Sequence, residues 1–202
     1  MSKETTSAYS LDIDGVLVKR PPLQLGAAKL RRLLGLAMYD RQLALAPIER
    51  KTEEKKISSL KEAISFHLHS GRGIRKEIIE RLNQRNDVDM FGNTGRSNKQ
   101  RWVELTRRQL NGSGLTNLRD IFFTPEGHKT VDSKGAAIQE LLKKYKYVTH
   151  FDDDPLTILL LAKQFPEVDF VLVEDLSANY LLKGVNWSQY HNVRRVKNIQ
   201  EL

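Results

Sequence analysis

Four short stretches of the chain carry residue types that chemistry needs. Asp12-Ile13-Asp14-Gly15 sets two carboxylates one residue apart ahead of a glycine, Thr94-Gly95 offers a hydroxyl beside an unhindered amide, Lys134 supplies a cation, and Asp152-Asp153 is a second pair of acids. A carboxylate can serve as nucleophile, as oxygen ligand to a hard cation, or as proton carrier. Taken singly each stretch is a weak signal, since Asp and Gly also gather in ordinary turns after strands. The chain has no cysteine, which excludes disulfides, thiolate catalysis and cysteine-ligated zinc. Its five histidines show no ligand spacing beyond His67-Leu68-His69, which on a helix points the two rings apart, and all five read as structural.

The elements that must position these groups can be read from hydrophobic period. Ala8, Tyr9 and Leu11 form a short apolar run that ends at Asp12, and Gly15 lets the chain turn away. Pro21 and Pro22 then break regularity. Apolar residues at spacings of three and four predict helices over 26–46, around Leu60 to Leu68 up to Gly71, and from Ile74 to Leu82, with a charged connection over 49–56. Strand and helix patterns alternate from there on. Val88 to Phe91 is a short apolar strand ending at Gly92-Asn93-Thr94-Gly95-Arg96, followed by a helix through Trp102, Leu105 and Leu110 that Ser97 or Asn98 can cap. Ile121 to Phe123 is a strand, and Asp132 or Ser133 caps a helix through Ile138 and Leu141 that Lys134 opens. Tyr147 to Phe151 is a strand running into Asp152-Asp153-Asp154-Pro155, where Asp154 suits the cap and Pro155 the first position of the next helix. Asp169 to Val173 is another strand, and Val193 to Val196 a last short one. This alternation predicts an α/β fold with a mostly parallel sheet flanked by helices on both faces.

In such a sheet the strand ends on one edge converge on a crevice. Asp12/Asp14, Thr94 and Asp152/Asp153 each follow a predicted strand, so together with Lys134 they can share that crevice. The set suits phosphoryl transfer, which needs a nucleophile, a hard cation held by oxygens, and positive charge around the phosphoryl oxygens. In order and in context the stretches resemble the motifs of the haloacid dehalogenase (HAD) superfamily: Asp12-Ile13-Asp14-Gly15 its Asp-x-Asp-Gly, Thr94-Gly95-Arg96 its second motif, Lys134 its third, and Asp152-Asp153 its paired acids. Val16 stands where many of the phosphatases have Thr, and Lys129 is a less well placed rival for Lys134. The resemblance implies a Rossmann-like catalytic core over 1–19 and 86–202, with an all-helical cap inserted over 20–85. It implies a Mg²⁺-dependent phosphatase that works through an aspartyl-phosphate. Asp12 would be the nucleophile and Asp14 the acid/base; Thr94, Gly95 and Lys134 would bind the phosphoryl group. Mg²⁺ would be held by the Asp12 side chain, the Asp14 backbone carbonyl and Asp152, with Asp153 acting through water. Arg96 would either bind substrate or pair with an acid.

The net charge of +8 is uneven. Residues 19–110 carry 21 Lys/Arg against 10 Asp/Glu, which makes the middle of the chain +11 and the remainder −3. A basic insert favours an anionic leaving group, and a phosphorylated small molecule is the expected substrate. Thr94-Gly95-Arg96 followed by Lys99-Gln100-Arg101-Trp102-Val103-Glu104 is also similar to the phosphatase domain of polynucleotide kinase, so a phosphatase acting on nucleic-acid 3′-phosphates is the alternative, although aromatic residues for base stacking are sparse in the insert. A non-catalytic binding protein on the same fold is the third reading; it predicts erosion of the motif acids, and all are present. The polar amino terminus and the charges within the most apolar stretch, 23–46, predict a cytoplasmic protein with no membrane span.

Overall fold

The computed structural model describes residues 5–19, 59–173 and 185–196. The helix predicted over 26–46 and the charged connection over 49–56 lie outside them. Six strands form one sheet: β1 (Ser7–Leu11), β2 (Asp89–Ser97), β3 (Leu118–Thr124), β4 (Tyr147–Asp152), β5 (Asp169–Val173) and β6 (Val193–Val196). Their order is β3-β2-β1-β4-β5-β6, with every neighbouring pair parallel. Five described helices accompany them: α1 (Ser59–Ser70), α2 (Lys76–Asn83), α3 (Gln100–Asn111), α4 (Thr130–Leu142) and α5 (Pro155–Gln164). This is the Rossmann-like α/β architecture expected from the alternation of periods.

Each face of the sheet has its own core. Along β5, Phe170 and Leu172 join Ile138, Leu141, Ile158 and Leu161 of α4 and α5, while Val171 and Val173 join Leu11, Ile13 and the α2 residues Ile78, Ile79 and Leu82. Successive side chains of a strand point to opposite faces, so a strand covered on both sides reads as the unbroken apolar run that 170–173 shows. Each such side chain contributes about 1.5–3 kcal/mol relative to exposure. α2 falls within the residues grouped with the insert, yet its apolar face packs into the same cluster as β1.

Three local readings are corrected. β2 does not stop at Gly92 but continues through Thr94-Gly95-Arg96 to Ser97, pairing with β3 across a register shift between Thr94 and Ser97. Ser97 consequently accepts a bond from the Lys99 amide (3.3 Å) in the turn ahead of α3, and Lys99 is the N-cap residue with no side-chain cap bond. α4 begins at Thr130, which puts Asp132 and Ser133 inside the helix; the Ser133 hydroxyl donates back to the Lys129 carbonyl (3.1 Å). Lys134 lies one turn into α4 rather than at its start, buried toward the sheet. Asp154 does cap α5 ahead of Pro155, accepting from the amides of Leu156 (3.4 Å) and Thr157 (3.3 Å). No described helix is long and apolar enough to cross a membrane.

Candidate active site

The chain leaves central β1 for β2 and β3 on one side and returns for β4 to β6 on the other, so the switch in direction falls between β1 and β4. Ligands bind at the carboxyl ends of strands at such a point. The β1–β4 register pairs Leu11 with Phe151, and the Asp12 amide continues the ladder by donating to the Phe151 carbonyl (2.8 Å). Asp12 and Asp152 are therefore the next rung. Two residues beyond Ser10 and His150 respectively, they point to the same face as those two, which is the face covered by α4.

Lys134 descends from α4 between them. Its Nζ lies 2.9 Å from Asp12 Oδ1 and 2.7 Å from Asp152 Oδ2, and all three residues are buried. Asp153 joins the group: Asp12, Asp152 and Asp153 each offer a carboxylate oxygen within 4.8 Å of the others. The loop after β1 makes room for this. Leu17 and Val18 amides both return to the Ile13 carbonyl (3.2 and 2.8 Å), and Gly15 takes φ +96°.

Burial opposes every charge here, and the neighbours decide the outcome. For Asp152 burial is outweighed by Lys134 and by the His150 ring, which hold its carboxyl below the ordinary range. For Asp12 burial dominates over the attraction of Lys134, and the carboxylates of Asp152, Asp153 and Asp14 push the same way, so its carboxyl rises well above the ordinary range. Lys134 is held charged by Asp12 and Asp152 despite its burial. One ammonium among three buried carboxylates leaves negative charge to be neutralised. The donor set, all oxygen and tightly gathered, fits a hard divalent cation such as Mg²⁺ and offers nothing to a soft one.

Asp14 stands apart from this cluster. Arg96 grips it with two bonds, Nε to Oδ2 (2.8 Å) and Nη2 to Oδ1 (2.7 Å), while Arg72 Nη1 donates to Oδ1 (2.7 Å) and His69 Nε2 is 3.8 Å from Oδ2. Burial works against its charge, but Arg96, His69 and Arg72 together hold the carboxyl below its ordinary value. Its side chain borders a cleft of about 650 Å³ whose described walls come from α1, the β2–α3 segment and the loop after β3. Thr94 is buried at the β2 end, its Oγ1 accepting from the Arg96 amide (3.2 Å). At Gly95 a Cβ would come 2.8 Å from Thr130 Cγ2, so a side chain there would force the Thr130 side chain at the start of α4 to shift.

Of the residues expected to share the crevice, Asp12, Lys134, Asp152 and Asp153 meet, whereas the Asp14 carboxylate and Arg96 form a second, adjoining centre. Three residues escape the sequence reading. His150 is fully buried, its Nδ1 2.9 Å from Ser10 Oγ and Nε2 3.3 Å from Asp152 Oδ2. Asn93 Nδ2 donates to Ser10 Oγ (3.1 Å), so donor logic runs Asn93 to Ser10 to His150 Nδ1, leaving Nε2–H for Asp152. That His150 stands two residues before Asp152 on a strand, hence on the same face, was the available signal. Arg72 and His69 have no such signal, because nothing in the local pattern relates them to Asp14.

The solved structures to which nearly the whole chain is similar include three hydrolases. A protein described as a haloacid dehalogenase-like hydrolase from Burkholderia xenovorans matches at 12% identity and a TM-score of 0.48, covering 96% of this chain and 94% of its own. A HAD-superfamily hydrolase of subfamily IA, variant 1, from Geobacter sulfurreducens matches at 13% and 0.46, covering 99% and 96%. A haloacid dehalogenase-like family hydrolase from Xanthomonas campestris matches at 12% and 0.48, covering 97% and 92%. No protein-family model matches the sequence, and no curated protein does.

Proposed function

We propose that this chain is a divalent-cation-dependent phosphomonoesterase of the haloacid dehalogenase type, acting on a phosphorylated small molecule. One observation carries the reading: the Lys134 ammonium bridges Asp12 (2.9 Å) and Asp152 (2.7 Å) at the switch point of a parallel sheet, with Asp153 completing an all-oxygen cluster. A cation held by Asp12 and Asp152, with Asp153 beside them, would supply positive charge to the phosphoryl oxygens.

The residues then divide the work. A carboxylate oxygen of Asp12 attacks phosphorus, forming the Asp12–phosphate bond as the ester bond to the leaving oxygen breaks. For Asp14 to give a proton to that leaving oxygen, the bonds from Arg96 and Arg72 that favour its carboxylate must loosen when substrate enters; in the second half the Asp14 carboxylate takes a proton from the water that attacks phosphorus, and the Asp12–phosphate bond breaks to release inorganic phosphate. Lys134 offsets the charge of Asp12 and the phosphoryl group, and Thr94 with the Gly95 amide binds phosphoryl oxygens. The cleft beside Asp14 receives the leaving group.

Phosphate release from an aryl phosphate and a panel of phosphorylated metabolites, with Mg²⁺ and with chelator, tests this. The expected result is turnover that needs the cation and that Asp12→Asn abolishes. Unchanged turnover in Asp12→Asn, or none in the parent protein, would overturn it. Oligonucleotides bearing 3′-phosphates belong in the same panel across a salt series; activity confined to them and lost steeply with salt would move the substrate class to nucleic-acid ends.

A further inference from the structure

Five buried polar residues close into a circuit of hydrogen bonds beside the carboxylate cluster. Asn93 on β2 donates from Nδ2 to two acceptors, Ser10 Oγ on β1 (3.1 Å) and the Lys134 carbonyl of α4 (3.2 Å). Ser10 Oγ meets His150 Nδ1 on β4 (2.9 Å), and His150 Nε2 meets Asp152 Oδ2 (3.3 Å). Lys134 Nζ donates to that same oxygen (2.7 Å), which returns the circuit to α4. Each member is 3% exposed or less. The direction of the bonds follows from the partners. An ionised carboxylate only accepts, so Nε2 must carry a hydrogen. The Ser10 hydroxyl already receives from Asn93, and its own hydrogen goes to Nδ1, which leaves the ring neutral. Phe170 packs edge-on to the His150 ring at 5.8 Å.

The consequence falls on Asp152. Lys134 and His150 take the two lone pairs of its Oδ2, and the Asp154 amide takes one on Oδ1 (2.9 Å), so these bonds leave a single lone pair, on Oδ1, for a cation. Lys134 cannot fix that orientation alone, because its ammonium also serves Asp12 Oδ1 (2.9 Å) and a point charge on a flexible stem sets little direction. Resting on the cation-dependent reading above, we propose that His150 is a positioning residue for the cation site: held by Ser10 and Asn93, it turns the Asp152 carboxylate so that Oδ1 faces the cation. Asn93 ties the same arrangement to the placement of α4 through the Lys134 carbonyl. His150 acts here as a neutral donor, so it orients Asp152 without altering the charge of the cluster.

Cation affinity separates this role from a purely structural one, since removing a neutral donor leaves the charge of the cluster unchanged. Mn²⁺, a hard cation suited to oxygen ligands, is the probe. Its free fraction is read by electron paramagnetic resonance at one fixed pH, with thermal melts in chelator alongside. His150→Leu is expected to weaken Mn²⁺ binding by about 10- to 100-fold. Ser10→Ala removes one hydroxyl and keeps the imidazole, and should show a smaller loss in the same direction. His150→Gln returns an amide donor and should recover most of the parent affinity. Variants that bind Mn²⁺ as tightly as the parent, whatever their melts, would overturn the proposal. So would His150→Gln binding as weakly as His150→Leu, which would make packing of the imidazole, not its donated bond, the cause. Should His150→Leu fail to fold, Ser10→Ala decides: weakened binding supports the role and parent affinity overturns it. A parent protein that binds no Mn²⁺ would overturn the cation reading and this role together, whereas binding unchanged across the variants would overturn this role alone.

Discussion

The carboxylate of Asp153 occupies the space where residue 15 would carry a side chain: a Cβ built on Gly15 would lie 1.7 Å from Asp153 Oδ2 and 2.1 Å from Cγ. Gly15 also has φ +96°, a region that L side chains rarely adopt. The glycine after Asp14 is thus required twice, by the backbone and by the carboxylate of Asp153. Gly15→Ala is expected to lower the melting temperature and abolish cation binding. In Gly15→Ala/Asp153→Ala the overlap is gone, so that double variant should melt above Gly15→Ala alone, a non-additivity readable in thermal melts. Simple additivity would remove the close contact as the cause.

Lys134→Met removes the ammonium between two buried carboxylates. Breaking a buried pair in this way costs about 3–5 kcal/mol. A divalent cation then becomes the remaining source of positive charge in the cluster, so the rise in melting temperature on adding Mg²⁺ should be larger in Lys134→Met than in the parent. An equal or smaller rise would mean that the carboxylates do not form the cation site.

His150 carries a pH dependence of stability. Burial holds its ring below the ordinary 6.5 even though Asp152 pulls the other way. The native state therefore stays neutral where the unfolded chain binds a proton. Stability from this group is fully present above pH about 6.5 and is lost as pH falls below it, because the unfolded state then binds more protons. His69 is lowered in the same direction, again chiefly by burial. Urea unfolding from pH 7.5 to 5.5 should show a smaller loss in His150→Gln than in the parent, with the His69 contribution common to both. Parallel curves would show that His150 does not contribute.

Asp154 sits beside the acid pair but belongs to the helix. Its carboxylate accepts from Leu156 and Thr157 amides and from Thr157 Oγ1 (2.6 Å). Asp154→Ala is expected to cost about 1 kcal/mol of stability through loss of the cap, with kcat for phosphate release close to the parent value. A collapse of kcat equal to that of Asp152→Ala would assign Asp154 to the reaction centre.

By itself the sequence determined the α/β alternation, the short strand of 169–173 to the residue, the Asp154-Pro155 helix start, and the set of acids at strand ends. These are encoded locally, in periods of 2 and 3.6 and in residues that only caps and turns accept. The same periods carry Asp12, His150 and Asp152 to one face of the sheet, although His150 needed the β1–β4 register to acquire its meaning. Tertiary structure decided the rest. Whether β2 ends at Gly92 or runs to Ser97 depends on its pairing with β3, and the depth of Lys134 in α4 follows from where that helix starts. The division of Asp12 and Asp14 between two centres depends on Arg72 and Arg96, 58 and 82 residues from Asp14 along the chain. No periodic signal spans such distances; only the pairing of β2 beside β1, which carries Arg96, and the seating of α1 against α3, which carries Arg72, bring those charges within hydrogen-bond reach of one carboxylate.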